Sequence, residues 1–168
     1  GRAQAGEVLR EVPGQGEARV SVQLPGEVRS FVQQQADEIP PSNLAHAVAA
    51  MSEHYRSRRP TAALALPARE KVAAYLVTRL PATYAATFAV LQEVRRCAVT
   101  SLLDLGAGPG AAALAARQIF PSLRQYTLVE SDPDFAGAAG QLLPEAELLA
   151  TDLRRLDEYP ARDLVVAG

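Results

Sequence analysis

The stretch Leu102-Leu103-Asp104-Leu105-Gly106-Ala107-Gly108-Pro109-Gly110 holds the densest chemistry in this chain. An apolar strand that runs into alternating glycines and then a helix turns backbone N–H groups and a helix N-terminus toward whatever lies above the strand ends. Glycine permits positive φ there and removes the Cβ atoms that would hold a ligand off. With Ala111 the spacing also satisfies the G-x-G-x-x-G/A dinucleotide fingerprint, so the loop alone leaves two ligand classes open. Three acids bear on the choice: Glu130 suits both classes, and Asp104 and Asp152 narrow it. Asp104, two residues before the first glycine, suits a cationic ammonium such as that of an amino-acid moiety. Glu130 follows Gly108 by 22 residues, at the end of the next expected strand, where a carboxylate accepts from two ribose hydroxyls. Asp152, after the third strand, can accept from an adenine amino group while a neighbouring backbone N–H donates to the ring. The candidate binding set is Asp104, Leu105, Gly106, Ala107, Gly108, Gly110, Glu130, Ser131, Asp152 and Leu153. No catalytic residue is assigned.

The spaced pattern Asp104-x-Gly106-x-Gly108-x-Gly110, then Glu130, then Asp152, resembles the class I S-adenosylmethionine-dependent methyltransferases over residues 98–168. The resemblance implies that Asp104 and the glycines hold the methionine end of S-adenosylmethionine, Glu130 the ribose and Asp152 the adenine. It also places the backbone of Ala167 and Gly168 near the methionine amino group. Methyl transfer is an in-line attack on an already activated sulfonium, so positioning carries most of the catalytic burden.

A narrower resemblance spans residues 24–168. Leu44-Ala45 through Tyr55-Arg56, Ala74 through Ala86, and Ser101 through Gly110 look like the methyltransferase-like family linked to small-subunit assembly of the mitochondrial ribosome, which has bacterial relatives. Arg79-x-Pro81-Ala82-Thr83-Tyr84 is its most distinctive segment. This resemblance implies a partner, the small ribosomal subunit or its rRNA, with methylation or assembly as the activity. Mitochondrial members also look like iron–sulfur proteins that use several cysteines; Cys97 is the single cysteine here, so no cluster is carried over. Two other readings stay open: a non-catalytic assembly or RNA-binding factor that keeps the cofactor fold, and an NAD- or FAD-dependent oxidoreductase. Asp104 and Asp152 argue against the latter.

The elements that must position these residues belong to a chain of 168 residues, 48% apolar and 21% charged, which suits one domain or a domain with a small appendage. The net charge of -2 gives no global basic field, so any nucleic-acid contact rests on local patches. One cysteine excludes an internal disulfide and a cysteine-cage metal site and fits a reducing compartment, and the family resemblance implies a cytoplasmic protein in a bacterium or a mitochondrial one in a eukaryote. No run approaches a membrane span. The start at Gly1 and the apolar run ending at Gly168 read as a fragment cut after about four strands of the sheet.

Residues 1–26 read as a loose lead-in with a possible short strand at Ala18–Leu24, and 27–97 as a helical region. Helical spacing predicts a helix from Glu27 to Ile39, a second capped by Ser42 and ending near Arg58-Arg59-Pro60, a third from Pro67 to Arg79, and a fourth starting at Pro81. Residues 98–168 alternate strands and helices: Val99–Leu105, Ala111–Phe120, Gln125–Glu130, Pro133–Leu143, Glu147–Ala150 and Asp163–Ala167. The expected fold class is α/β, a Rossmann-like parallel sheet behind N-terminal helices. His46 and His54 read as surface residues rather than metal ligands. Arg56, Arg58 and Arg59 complement a helix dipole, and with Arg95-Arg96 and Arg154-Arg155 they form candidate RNA contacts. Tyr84 reads equally as a cofactor cover or as core beside Phe88, Cys97 as a small apolar filler, and Lys71, the only lysine, as a mark of composition.

Overall fold

The computed structural model describes residues 22–57 and 64–167. The expected strand at 18–24 lies largely outside them, as do Arg58, Arg59 and Gly168; Val22 to Pro25 are irregular. Three helices come first: α1 (Gly26–Asp37), α2 (Pro41–Arg56) and α3 (Ala68–Glu93). They precede β1 (Ser101–Leu105), α4 (Ala111–Ile119), β2 (Gln125–Val129), α5 (Pro133–Leu142), β3 (Glu147–Leu149) and β4 (Leu164–Ala167). A single 3-10 turn, Leu153–Arg155, follows β3.

Two helix boundaries differ from the sequence expectation. Pro40, not Ser42, caps α2: its carbonyl accepts from Asn43 N at 2.9 Å and Leu44 N at 3.0 Å, and Pro41 occupies the first turn. A missing N–H costs nothing at that position. The expected third and fourth helices are one, because α3 runs 26 residues straight through Pro81. An interior proline forfeits a backbone hydrogen bond, about 3 kcal/mol. The offset is burial on both sides of it: Leu76 and Leu80 are fully covered before the proline, and Tyr84 and Leu91 are buried after it. At ~1.5 Å per residue the 26 residues of α3 make a helix about 39 Å long.

The four strands are all parallel, in the order β3-β2-β1-β4. Leu103 pairs with Thr127 on one side and Val165 on the other, so β1 lies inside the sheet and is buried, as its unbroken apolar run requires. β1 begins two residues later than expected. The amides of Thr100 and Ser101 donate to the Asp163 carboxylate at 2.8 and 3.1 Å instead of to a strand. The chain passes from β1 to β2 on one side and returns to β4 on the other, so a crevice opens above the carboxyl end of β1.

Alanines let α3 approach this layer. Residues 111–116 of α4 are buried, with Ala113, Leu114, Ala115 and Ala116 fully so. Tyr84 belongs to the same core, its ring 5.9 Å from that of Phe88 and away from the crevice, which resolves its two readings in favour of packing. His46 is exposed as expected, but His54 is buried, because it shares the covered face of α2 with Ala47 and Met51. Cys97 is exposed rather than a filler: it closes the turn after α3 by donating to Val94 O, and Val99 takes the buried place. Among the described residues no helix is long and apolar enough to cross a membrane, and no group of three or more metal-ligating side chains occurs.

Candidate functional site

The crevice has a volume of about 980 Å³, at the upper end of the range for small-molecule sites. Gly106, Ala107 and Gly108 form its floor. Glu130, Ser131, Asp132 and Asp152 stand along the side of β2 and β3, with Val166 and Ala167 at the end of β4. Its opposite wall is α3, which contributes Lys71, Tyr75, Arg79, Thr83 and Thr87.

The expected floor forms, but its amides are spent. Gly106 N and Ala107 N both donate to Val129 O, at 2.9 and 3.0 Å, and Gly110 N donates to Ala107 O. Gly108 N donates to Glu130 Oε2 at 2.7 Å. The loop therefore offers a ligand a surface without side chains rather than a ring of waiting donors. Gly108 carries that role: its φ is +54°, and a Cβ there would stand 3.2 Å from the Tyr75 hydroxyl, filling the cradle.

Six of the predicted residues meet at the crevice: Gly106, Ala107, Gly108, Glu130, Ser131 and Asp152. The other four do not line it. Leu105 is held in the sheet between Val129 and Ala167. Gly110 caps α4 and packs on Leu143. Leu153 opens the 3-10 turn, its carbonyl accepting from Tyr159 Oη at 2.8 Å. Asp104 lies beneath the loop, buried, with one oxygen taking the Ala113 N–H of α4 and Oδ2 without a partner.

Burial pushes the Asp104 carboxyl up to about 7; the Ala113 N–H opposes this, and the nearby charge of Glu130 adds to it. Between the ordinary value of 3.8 and about 7 the unfolded chain has released this proton while the folded chain keeps it, so stability falls as pH rises through that window. Asp104→Asn is expected to flatten this part of the profile. Urea unfolding across pH 4 to 8 checks it; an identical slope in wild type and variant would assign the pH dependence elsewhere.

Both rim acids are already engaged. Glu130 Oε1 accepts from Asp132 N at 2.7 Å while Oε2 holds Gly108. Asp152 takes Arg154 in a fork, Oδ2 to Nη2 at 2.6 Å and Oδ1 to Nε at 3.1 Å, and Arg154 lowers its pKa to about 2. Arg154 is thus a partner of a site acid as well as a candidate phosphate contact, and Arg56 pairs with Glu53.

Sequence reading missed the wall. Lys71, Tyr75, Arg79, Thr83 and Thr87 recur every four residues along α3, a polar stripe on one helix face. Splitting the helix at Pro81 hid that period. Tyr75 packs on Phe135, ring centroids 4.8 Å apart, and burial pushes its phenol up to about 12, so it stays protonated. The Arg79 guanidinium lies 4.3 Å over the Tyr55 ring. Lys71 Nζ reaches Asp132 at 2.7 and 2.9 Å and Asp134 at 2.7 Å. Burial draws the ammonium's pKa down, but both carboxylates outweigh it and the pKa stands above the ordinary value.

The sequence profile described as mitochondrial small ribosomal subunit Rsm22 matches residues 69–167, from the start of α3 to the end of β4. The chain belongs to the Rsm22 family. The match to Rsm22 therefore spans the floor and both walls of the crevice. Two curated relatives from Schizosaccharomyces pombe, the mitochondrial Rsm22-cox11 tandem proteins 1 and 2, are each 33% identical over 69 residues. That covers 38% of this chain and 9% of either relative, so the chain spans about a tenth of their length. Among solved structures, this Rsm22-family chain is similar to the plantazolicin methyltransferase BpumL in complex with SAH. The identity there is 17% and the TM-score 0.47, over 84% of this chain and 50% of that one. It is also similar to SAM-bound CalS10, an amino pentose methyltransferase from Micromonospora echinaspora, at 27% identity and TM-score 0.42 over 51% and 36% of the two chains.

Proposed function

We propose that the crevice binds S-adenosylmethionine and that the protein is a methyltransferase-like factor acting on, or assembling, the small ribosomal subunit. The observation that carries this reading is the meeting of the bare surface at Gly108 with the carboxylates of Glu130 and Asp152 above the ends of adjacent parallel strands. The small-subunit part rests on membership of the Rsm22 family.

The residues fit the ligand. A carboxylate has about four acceptor positions; Glu130 Oε2 spends one on Gly108 and Oε1 one on Asp132 and a long one, 3.5 Å, on the Ser131 hydroxyl, which a ribose hydroxyl can displace, so two ribose hydroxyls can still be accepted. Asp152 keeps acceptor capacity beside its Arg154 fork for an exocyclic amine. Bound there, S-adenosylmethionine supplies an activated methyl group. The chain's own part is positional: the α3 stripe closes the far side, where Tyr75 presents a protonated hydroxyl and Arg79 brings a fixed positive charge.

Calorimetric titration separates this reading from an oxidoreductase. Heat with S-adenosylmethionine and none with NAD is expected, and Asp152→Ala should bind more weakly than wild type. Heat with NAD alone would overturn the assignment.

A further inference from the structure

The only lysine of the chain is buried at the lip of the crevice, in contact with two carboxylates, while every other basic residue is arginine. Its side chain and that of Asp132 are 11% and 10% exposed, so the pair is one of the few buried charge contacts in the described residues. Desolvating two ions for stability alone is a poor exchange against apolar packing. The geometry points to a different use: we infer that Lys71 is a positioning residue that sets Glu130 for the nucleoside, through the chain Lys71–Asp132–Glu130–Gly108. This rests on the S-adenosylmethionine reading of the crevice.

Each link is a short contact. Lys71 Nζ holds both oxygens of Asp132, at 2.9 and 2.7 Å. The Asp132 amide donates to Glu130 Oε1 at 2.7 Å, and Glu130 Oε2 accepts from Gly108 N at 2.7 Å. Asp132 is also the N-cap of α5, accepting from Asp134 N at 3.0 Å, so the turn after β2 is pinned from α3 on one side and by its own helix on the other. With its amide fixed, Glu130 is held between two backbone donors and its remaining acceptor positions keep one direction. Lys71 lies on the first turns of α3, an element remote in sequence from the glycine loop, and thereby couples the N-terminal helices to the ligand floor. Lysine suits this place because a compact ammonium donates to three oxygens at once, here two of Asp132 and one of Asp134.

The test is a binding cycle with S-adenosylmethionine, read by calorimetry on wild type, Lys71→Met, Asp132→Asn, Glu130→Ala, and Lys71→Met combined with Glu130→Ala. Lys71→Met is expected to bind about tenfold more weakly, with Lys71→Arg recovering most of the loss because its charge still bridges the carboxylates. The combined variant should bind no more weakly than Glu130→Ala alone, since Lys71 acts only through that acid; general loosening of the fold would multiply the two losses. Should Lys71→Met fail to fold, Asp132→Asn carries the test, because asparagine keeps the helix cap and the amide but releases the lysine's hold. Wild-type affinity in that variant, or multiplied losses in the combined one, would overturn the inference. A wild-type protein that takes no S-adenosylmethionine would remove the cofactor reading and this inference with it; a wild type that binds while Lys71→Met binds equally would remove only this one.

Discussion

Glu130→Ala is expected to weaken S-adenosylmethionine binding by roughly 2–3 kcal/mol, about 30- to 150-fold. The side chain has two duties at once. It accepts from Gly108 N and Asp132 N, both at 2.7 Å, and so ties the glycine loop to the turn that starts α5. In the proposed complex it also offers its remaining acceptor positions to the ligand. Truncation removes the ligand's bonds and leaves two backbone amides searching for water in a half-enclosed site, and hydrogen bonds to a charged acceptor are the costly ones to lose. Glu130→Gln should fall between wild type and Glu130→Ala, because one of its two amide-facing atoms becomes a donor. Calorimetry on the three proteins gives the order directly, and equal affinities would place the nucleoside elsewhere.

Gly110→Ala should destabilise the fold by about 2–4 kcal/mol, from αL strain on a non-glycine residue together with overpacking. Its φ is +93°, and a Cβ there would lie 2.8 Å from Leu143 Cδ1, a side chain that is itself fully buried and has nowhere to go. Gly137→Ala is the internal contrast. No atom lies within 4 Å of a Cβ at Gly137, in the middle of α5, so alanine there should stabilise by about 0.5–1 kcal/mol through helix propensity. Urea unfolding of the pair should move the midpoints in opposite directions. Unchanged stability in Gly110→Ala would mean that the conformation at Gly110 is not what the loop depends on.

The glycine loop, Glu130 and Asp152 were legible in the sequence because their signal is local. A strand, a run of glycines and a helix put backbone in one place, and the next two strands end in acids. What escaped depends on atoms far apart in the chain. The amides of Gly106 and Ala107 are claimed by Val129 O, a carbonyl that reaches them only through the pairing of β1 with β2. Asp104 turns toward Ala113 rather than the crevice, a choice made by packing under α4 and not by spacing. The wall formed by α3 was hidden by Pro81, which local rules treat as a helix start and which burial of Leu80 and Tyr84 overrides. Lys71, set aside as a trace of composition, belongs to the same missed wall.

The α3 stripe also changes what the N-terminal helices are for. One wall of the crevice comes from α3 and the other from the ends of the strands, and the Rsm22 profile begins at Arg69, near the start of the α3 wall. Positioning of an acceptor would therefore depend on the register of α3 as much as on the sheet.

A crystal structure of the protein with S-adenosylhomocysteine is the most direct test. The account predicts ribose hydroxyls on Glu130, the adenine amine beside Asp152, and ligand atoms seated against Gly108 where a Cβ would stand. A nucleoside bound outside this crevice, or lying in it with Glu130 and Asp152 turned away, would contradict the account.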